Sequence, residues 1–136
     1  VVTTMLARNT MKKSGKVLGA LEEAIMDILW KKGEGTVREV CEVVSRRRDI
    51  AYTTVMTVMT RLTDKKVLCR KELRDGSFLY TPCQSRDGFY AKASHTLFSE
   101  MVRNFGAVAV AQFVDVLEEV DPKQVEALRA RLRVKR

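Results

Sequence analysis

Between Thr36 and Thr81 the hydrophobic period changes from helical to alternating, and the signals that bound each stretch leave few folds open. Thr36-Val37-Arg38-Glu39 has the form of a capping box, in which a hydroxyl and a carboxylate each satisfy a backbone N–H at a helix start. The helix that follows turns Val37, Val40, Cys41 and Val44 inward and ends in Ser45-Arg46-Arg47-Arg48. Asp49 then opens a further helix over residues 49–62, so two amphipathic helices are joined by a very short turn. After Lys65-Lys66 the pattern alternates: Val67 to Leu73 is one extended run, Arg74-Asp75-Gly76-Ser77 carries an Asp-Gly turn, and Phe78 to Thr81 runs back until Pro82 ends it. A capped helix, a tight turn, a second helix and a hairpin predict a winged helix-turn-helix.

The helix over 49–62 has an unusual outer face. Val55, Val58, Met59 and Leu62 stand at i, i+3, i+4 and i+7 and form its apolar stripe. Thr53, Thr57, Thr60 and Arg61 lie opposite, with Tyr52 and Thr54 at the helix start. A merely solvated face would carry Glu, Lys, Gln or Ala, which are better helix formers than Thr by roughly 0.5 kcal/mol per residue. Short hydroxyl side chains with one Arg suit a surface that meets another closely, and the DNA major groove offers methyl groups and acceptors to touch. Arg46 and Arg47 precede this helix and Arg74 stands at the hairpin turn, both places suited to phosphate contact. Arg46 to Arg48 also read as a solvated helix end near the negative pole of the helix dipole, and the hairpin as a cover for the core.

Upstream, Leu21, Ala24, Ile25, Ile28 and Leu29 predict an amphipathic helix closed at Trp30 and stopped by Gly33, with Gly35 behind. Residues 1–16 show no period and predict a flexible basic arm. Downstream, Ser85 caps a helix running to about Phe105 that carries Tyr90, Leu97, Phe98, Met101 and Val102. A second has Val110, Phe113, Val114 and Leu117 in helical spacing, and Pro122 opens a third with Val125, Leu128 and Leu132 inward. So much apolar surface on so short a segment predicts self-association, through Leu97, Phe98, Met101, Val110, Phe113, Val114, Leu117 and Leu128. The expected organisation is mainly α with a small β-hairpin wing: a winged-helix domain over 17–82 and a three-helix dimerisation domain over 83–136.

Charge agrees with a polyanionic partner. The chain is +8, and residues 1–82 hold 16 basic and 10 acidic residues against 9 and 7 in 83–136, so the excess lies mainly with the winged helix. No apolar run reaches membrane-span length and no signal-peptide core opens the sequence, which predicts a cytoplasmic protein without membrane insertion. Cys41, Cys69 and Cys83 are an odd set without C-x-x-C pairing, a spacing that supports neither a disulfide framework nor a zinc site; Cys41 reads as a small core residue. One histidine, His95, with no nucleophile or acid arranged around it predicts no catalysis, and no cofactor or metal is expected. The rival to a DNA-binding protein is a winged-helix module that contacts protein instead.

These residues resemble a known family. Leu18-Gly19-Ala20-Leu21-Glu22 through Ile28-Leu29-Trp30, Thr36 to Val40, Ala51-Tyr52-Thr53-Thr54-Val55-Met56-Thr57-Val58, Arg61-Leu62 and Tyr80-Thr81-Pro82 are similar to the BlaI/MecI/CopY bacterial transcriptional repressors, over residues 18–133. The resemblance implies a homodimer that represses by occupying a palindromic double-stranded DNA operator, with DNA contact on the third helix and wing. Its copper-responsive branch ends in a cysteine cluster, whereas this chain ends Arg129-Ala130-Arg131-Leu132-Arg133-Val134-Lys135-Arg136. Its β-lactam-responsive branch is relieved by cleavage of an Asn-Phe bond, coupled to a membrane sensor protease. That bond aligns with Gln112-Phe113, where Gln replaces Asn, while the literal Asn104-Phe105 reads as a helix end before Gly106.

Overall fold

The computed structural model describes residues 17–134, with the side chains of 132–134 left aside. The basic arm expected over 1–16 and the inward Leu132 lie outside what is described. Helices α1 (Ala20–Lys32), α2 (Val37–Ser45) and α3 (Tyr52–Asp64) lead into strands β1 (Leu68–Glu72) and β2 (Phe78–Pro82), and then into α4 (Arg86–Phe105), α5 (Ala107–Val120) and α6 (Pro122–Val134). The fold is therefore mainly helical with a two-stranded antiparallel wing.

Each boundary has a local cause. In α1 the Glu22 carboxylate accepts the Gly19 N–H at 3.0 Å, and Gly33 ends the helix at φ +96°, a conformation that costs a Cβ-bearing residue. The capping box of α2 is formed on both sides: Glu39 N–H donates to Thr36 Oγ1 at 3.2 Å and Thr36 N–H donates to Glu39 Oε1 at 3.0 Å. The Lys32 ammonium, hydrogen-bonded to the same carboxylate, is the main cause that holds Glu39 below its ordinary pKa, followed by the Thr36 backbone. That contribution to stability is present above the usual carboxylate range and is lost as pH falls through the lowered value. Thr36→Ala should lower stability by about 1 kcal/mol, read as a drop in Tm or denaturant midpoint; an unchanged midpoint would mean the box contributes nothing.

The helical faces differ in detail from the sequence expectation. In α1, Ile25 and Leu29 are buried as expected, but Met26 is fully buried and Glu22 is buried, while Leu21, Ala24 and Ile28 are half-buried. The inward stripe is rotated because Glu22 is tied to the Gly19 N–H and to Lys65 Nζ at 3.4 Å. In α3 the core residues are Val55, Met59 and Leu62, with Val58 half-buried at the edge. This helix begins at Tyr52 rather than Asp49: Ala51 is its N-cap in extended conformation, and Ile50 ahead of it packs against the core. It also runs beyond Leu62 to Asp64.

β1 and β2 pair from Leu68 opposite Pro82 to Glu72 opposite Phe78. The turn is closed by Leu73 N–H to Ser77 O at 2.7 Å, with Gly76 at φ +86° and the Asp75 carboxylate accepting from Ser77 N–H at 3.0 Å and Ser77 Oγ at 2.6 Å. The wing is not limited to its two strands. Gly35 N–H donates to Tyr80 O at 3.0 Å and Tyr80 N–H to Gly35 O at 2.9 Å, so the segment between α1 and α2 pairs with the outer side of β2. A Cβ at Gly35 would stand 3.2 Å from the Leu29 side chain, which is why this close approach uses glycine.

The cysteine expectation needs correction. Cys69 on β1 and Cys83 just beyond β2 form a disulfide with Cα atoms 5.4 Å apart, and Cys41 alone is free, half-buried against the core. The odd count concealed one pair because strand pairing, which no spacing rule contains, makes the two residues neighbours.

The chain divides into two compact units, with the break after Ser94 rather than at residue 82. The first turns of α4 belong to the first unit because Phe89 and Tyr90 pack on Trp30, with ring centroids 5.6 and 5.8 Å away, and Trp30 Nε1–H donates to Gln84 O at 3.1 Å. Burial is the main cause that raises the Tyr90 pKa, followed by the charge of Glu23. The second unit holds the rest of α4 with α5 and α6. Within it Phe98 and Phe113 meet edge to face at 5.0 Å, Asp121 Oδ1 accepts from Lys123 N–H at 3.2 Å at the start of α6, and Arg129 bridges to Glu118 and Glu126 at 3.4 and 3.0 Å.

Candidate nucleic-acid interface

The core anchors α3 by one side only. Val55, Met59 and Leu62 have no exposed surface, so the helix is held rigidly and its remaining circumference is offered to solvent. Tyr52, Thr53, Thr54, Thr57 and Arg61 are exposed, and Thr60, expected outward, is half-buried. Met56 joins the exposed set at 41% accessibility. The sequence reading places Met56 on neither the apolar stripe nor the outward face. Its place on the wheel, between the apolar stripe and Thr53, was the available signal.

The threonine hydroxyls explain how the helix tolerates them. Thr57 Oγ1 donates to Thr53 O at 2.9 Å, Thr60 Oγ1 to Met56 O at 2.9 Å, and Thr63 Oγ1 to Met59 O at 2.8 Å. Each hydroxyl proton is thus satisfied by the carbonyl one turn back, a pattern open to Ser and Thr in a helix. At exposed Thr57, what remains for a partner is a methyl group and an oxygen lone pair.

Basic groups flank this helix on both sides along the chain. Arg46, Arg47 and Arg48 are exposed in the turn after α2, where Arg46 N–H and Arg47 N–H reach back to Val43 O and Val44 O at 3.3 and 3.2 Å. Together with Ala24, Asp27, Ile28, Val43 and Val44 they line an open cleft. Arg61 and Lys65 line another with Gly19, Ala20, Leu21, Glu22 and Val58. Arg74 is exposed at the wing turn, as its sequence position suggested.

Three further basic residues were not singled out from sequence. Arg70 and Lys71 are exposed on β1, and the Arg70 guanidinium lies over the Phe78 ring at 4.1 Å, which fixes its direction. Arg38, exposed on the first turn of α2, is close enough to the wing turn to contribute to the lowered pKa of Asp75, whose main causes are the Ser77 hydroxyl and backbone hydrogen bonds. Among the described residues no group of three His, Cys, Asp or Glu side chains gathers as a metal site, and no helix is long and apolar enough to cross a membrane.

Three helices and a wing around one core, with the third helix exposed between a basic turn and a hairpin, define a winged helix-turn-helix regulator. The chain belongs to the penicillinase repressor family, whose model matches residues 18–134. It is 39% identical over 117 residues to the transcriptional regulator BlaI of Mycobacterium tuberculosis, in strains CDC 1551 / Oshkosh and ATCC 25618 / H37Rv, a match covering 85% of this chain and 82% of that protein. These relatives are named as transcriptional regulators and not as enzymes. Among solved structures, the multiple antibiotic resistance repressor MarR aligns with TM-score 0.46 and 18% identity, covering 89% of this chain and 90% of that one. The YusO protein of Bacillus subtilis aligns with TM-score 0.46 and 15% identity, covering 98% and 84%. Both likenesses are too distant to carry an argument about function.

Proposed function

We propose that this protein is a cytoplasmic, homodimeric transcriptional repressor that binds a palindromic double-stranded DNA operator through α3. The observation that carries the reading is the one-sided burial of α3, which leaves Tyr52, Thr53, Thr54, Thr57 and Arg61 outward on a rigid helix, with Thr60 at the edge of that surface. The Thr57 methyl suits a thymine methyl, its oxygen suits a base amino group, and Arg61 suits guanine acceptors. Arg46, Arg47 and Arg74 hold the register on phosphates, and a two-fold axis through the second unit sets the half-site spacing. Membership of a repressor family and the identity to BlaI support the same reading.

Relief by proteolysis at Gln112-Phe113, by a membrane sensor protease, is the proposed switch. Both residues are exposed on α5, a helix without a buried residue, which supports local opening into the extended backbone that a protease binds. Asn104-Phe105 instead closes α4, before Gly106 at φ +63°.

Selection of bound duplexes from random DNA, followed by affinity measurement over a range of salt, tests the repressor reading. Thr57→Val should reduce discrimination between the selected duplex and random DNA without changing the fold. The Arg46→Ala/Arg47→Ala double variant should weaken both and flatten the log-log salt slope by up to about 0.9 for each phosphate that is no longer neutralised. No selected sequence, or binding indifferent to salt, would overturn the reading in favour of a protein-binding winged helix.

A further inference from the structure

We propose that Cys69 and Cys83 are a reversible thiol-disulfide latch at the root of the wing, and that its closed form holds DNA more tightly. The inference rests on the operator-binding reading above. Both cysteines are exposed, so a small thiol can reach either sulfur from solvent. Their proximity is set by the backbone: Cys69 stands opposite Thr81 in the strand register, and Cys83 N–H donates to Val67 O at 3.0 Å. Cα atoms 5.4 Å apart lie within the bridging range, and the hydrogen bonds that keep them there do not depend on the sulfurs. Reduction therefore opens the bond without dismantling the hairpin, and oxidation closes it without a search.

The bond closes a ring with a sequence separation of 14 that contains the whole wing, including Arg70, Lys71 and the turn residue Arg74. Closing it removes freedom from the unbound wing and so lowers the ordering cost of setting those cations on a backbone. In the opening step a thiolate attacks one sulfur, the Cys69–Cys83 bond breaks and a mixed disulfide forms. A second small thiolate attacks the small-thiol sulfur of that mixed disulfide and displaces the protein thiolate, leaving two protein thiols and one low-molecular-weight disulfide. The protein gains two electrons and two protons, and the thiol couple is oxidised; the closing step is the reverse.

The test equilibrates the full chain in glutathione buffers from reduced to oxidised, then alkylates it under denaturing conditions and counts adducts by mass. Cys41 gives one adduct throughout, so the oxidised chain should carry one and the reduced chain three. Affinity for the selected duplex should be about three- to tenfold tighter in the oxidised buffer, with an unchanged salt slope because no further phosphate is neutralised. Cys69→Ser and Cys83→Ser should each bind with the reduced affinity in both buffers, while Cys41→Ser keeps the response. Three adducts in every buffer, or equal affinities in the two states, would overturn the latch and leave operator binding intact. Absence of DNA binding in both states would overturn the operator reading and the latch together.

Discussion

Val114→Asp should halve the sedimentation mass of the protein and lower operator affinity by a factor of a hundred or more, written as roughly 3 kcal/mol of lost two-site cooperation. In a single chain Val114 is 40% exposed, so the carboxylate meets water and the helix keeps its fold. Across the proposed dimer axis the same carboxylate would be buried without a partner, which costs several kcal/mol. The surrounding surface explains why one residue should suffice. Phe98, Met101, Val110, Phe113 and Leu128 are all exposed, and no residue of α5 is fully buried within its own chain. Leu97 and Leu117 are half-buried and supply the floor of that surface. Among the described residues of the second unit the only apolar core residue is Val125, too little for so many apolar side chains. An unchanged mass with native circular dichroism would place the dimer axis elsewhere.

Leu62→Ala should lower the stability of the winged helix by roughly 2–5 kcal/mol, a large part of what a small domain has, and with it all DNA binding. Leu62 is fully buried, in the same cluster as Val55, Met59, Leu68 and Tyr80. Its backbone oxygen also accepts the Val67 N–H at 2.9 Å, so it stands where α3 hands over to the wing. The contrast with Thr57→Val separates two ways of losing function. The core variant should shift the denaturation midpoint and lose specific and non-specific binding together. The surface variant should leave the midpoint in place and change only discrimination. A Leu62→Ala protein with an unshifted midpoint would contradict the packing described for α3.

What could be read from sequence was what local chemistry determines. The Thr36–Glu39 box, the Asp75-Gly76 turn, the stop at Gly33, the Ser85 cap and Pro122 at a helix start all depend on residues within one turn of each other. The misses depend on partners far along the chain. Glu22 is inward because Lys65 reaches it from the end of α3. Cys69 and Cys83 are joined because β1 and β2 pair. The first unit extends to Ser94 because Trp30 gathers Phe89 and Tyr90. For the candidate site, the wheel found the outward face of α3 but left Met56 unplaced and Thr60 too far out. Arg38, Arg70 and Lys71 stayed unmarked because only the folded wing shows that they lie along it or near its turn.

The pairing of Gly35 with Tyr80 has a mechanical meaning. Tyr80 stands opposite Arg70 in the strand register on one side, exchanges both of its backbone hydrogen bonds with Gly35 on the other, and its ring is sealed in the core. A hairpin alone in water frays easily, but this one is stitched into the joint between the first two helices. β2 cannot peel away at Tyr80 while the helices stay folded, so the backbone amides of Gly35 and Tyr80 should exchange with solvent only when the whole domain opens, while β1 and the turn keep the freedom that the Cys69–Cys83 bond limits. The helices and the middle of β2 are then one cooperative unit, and a pull on β2 is felt at the base of α2.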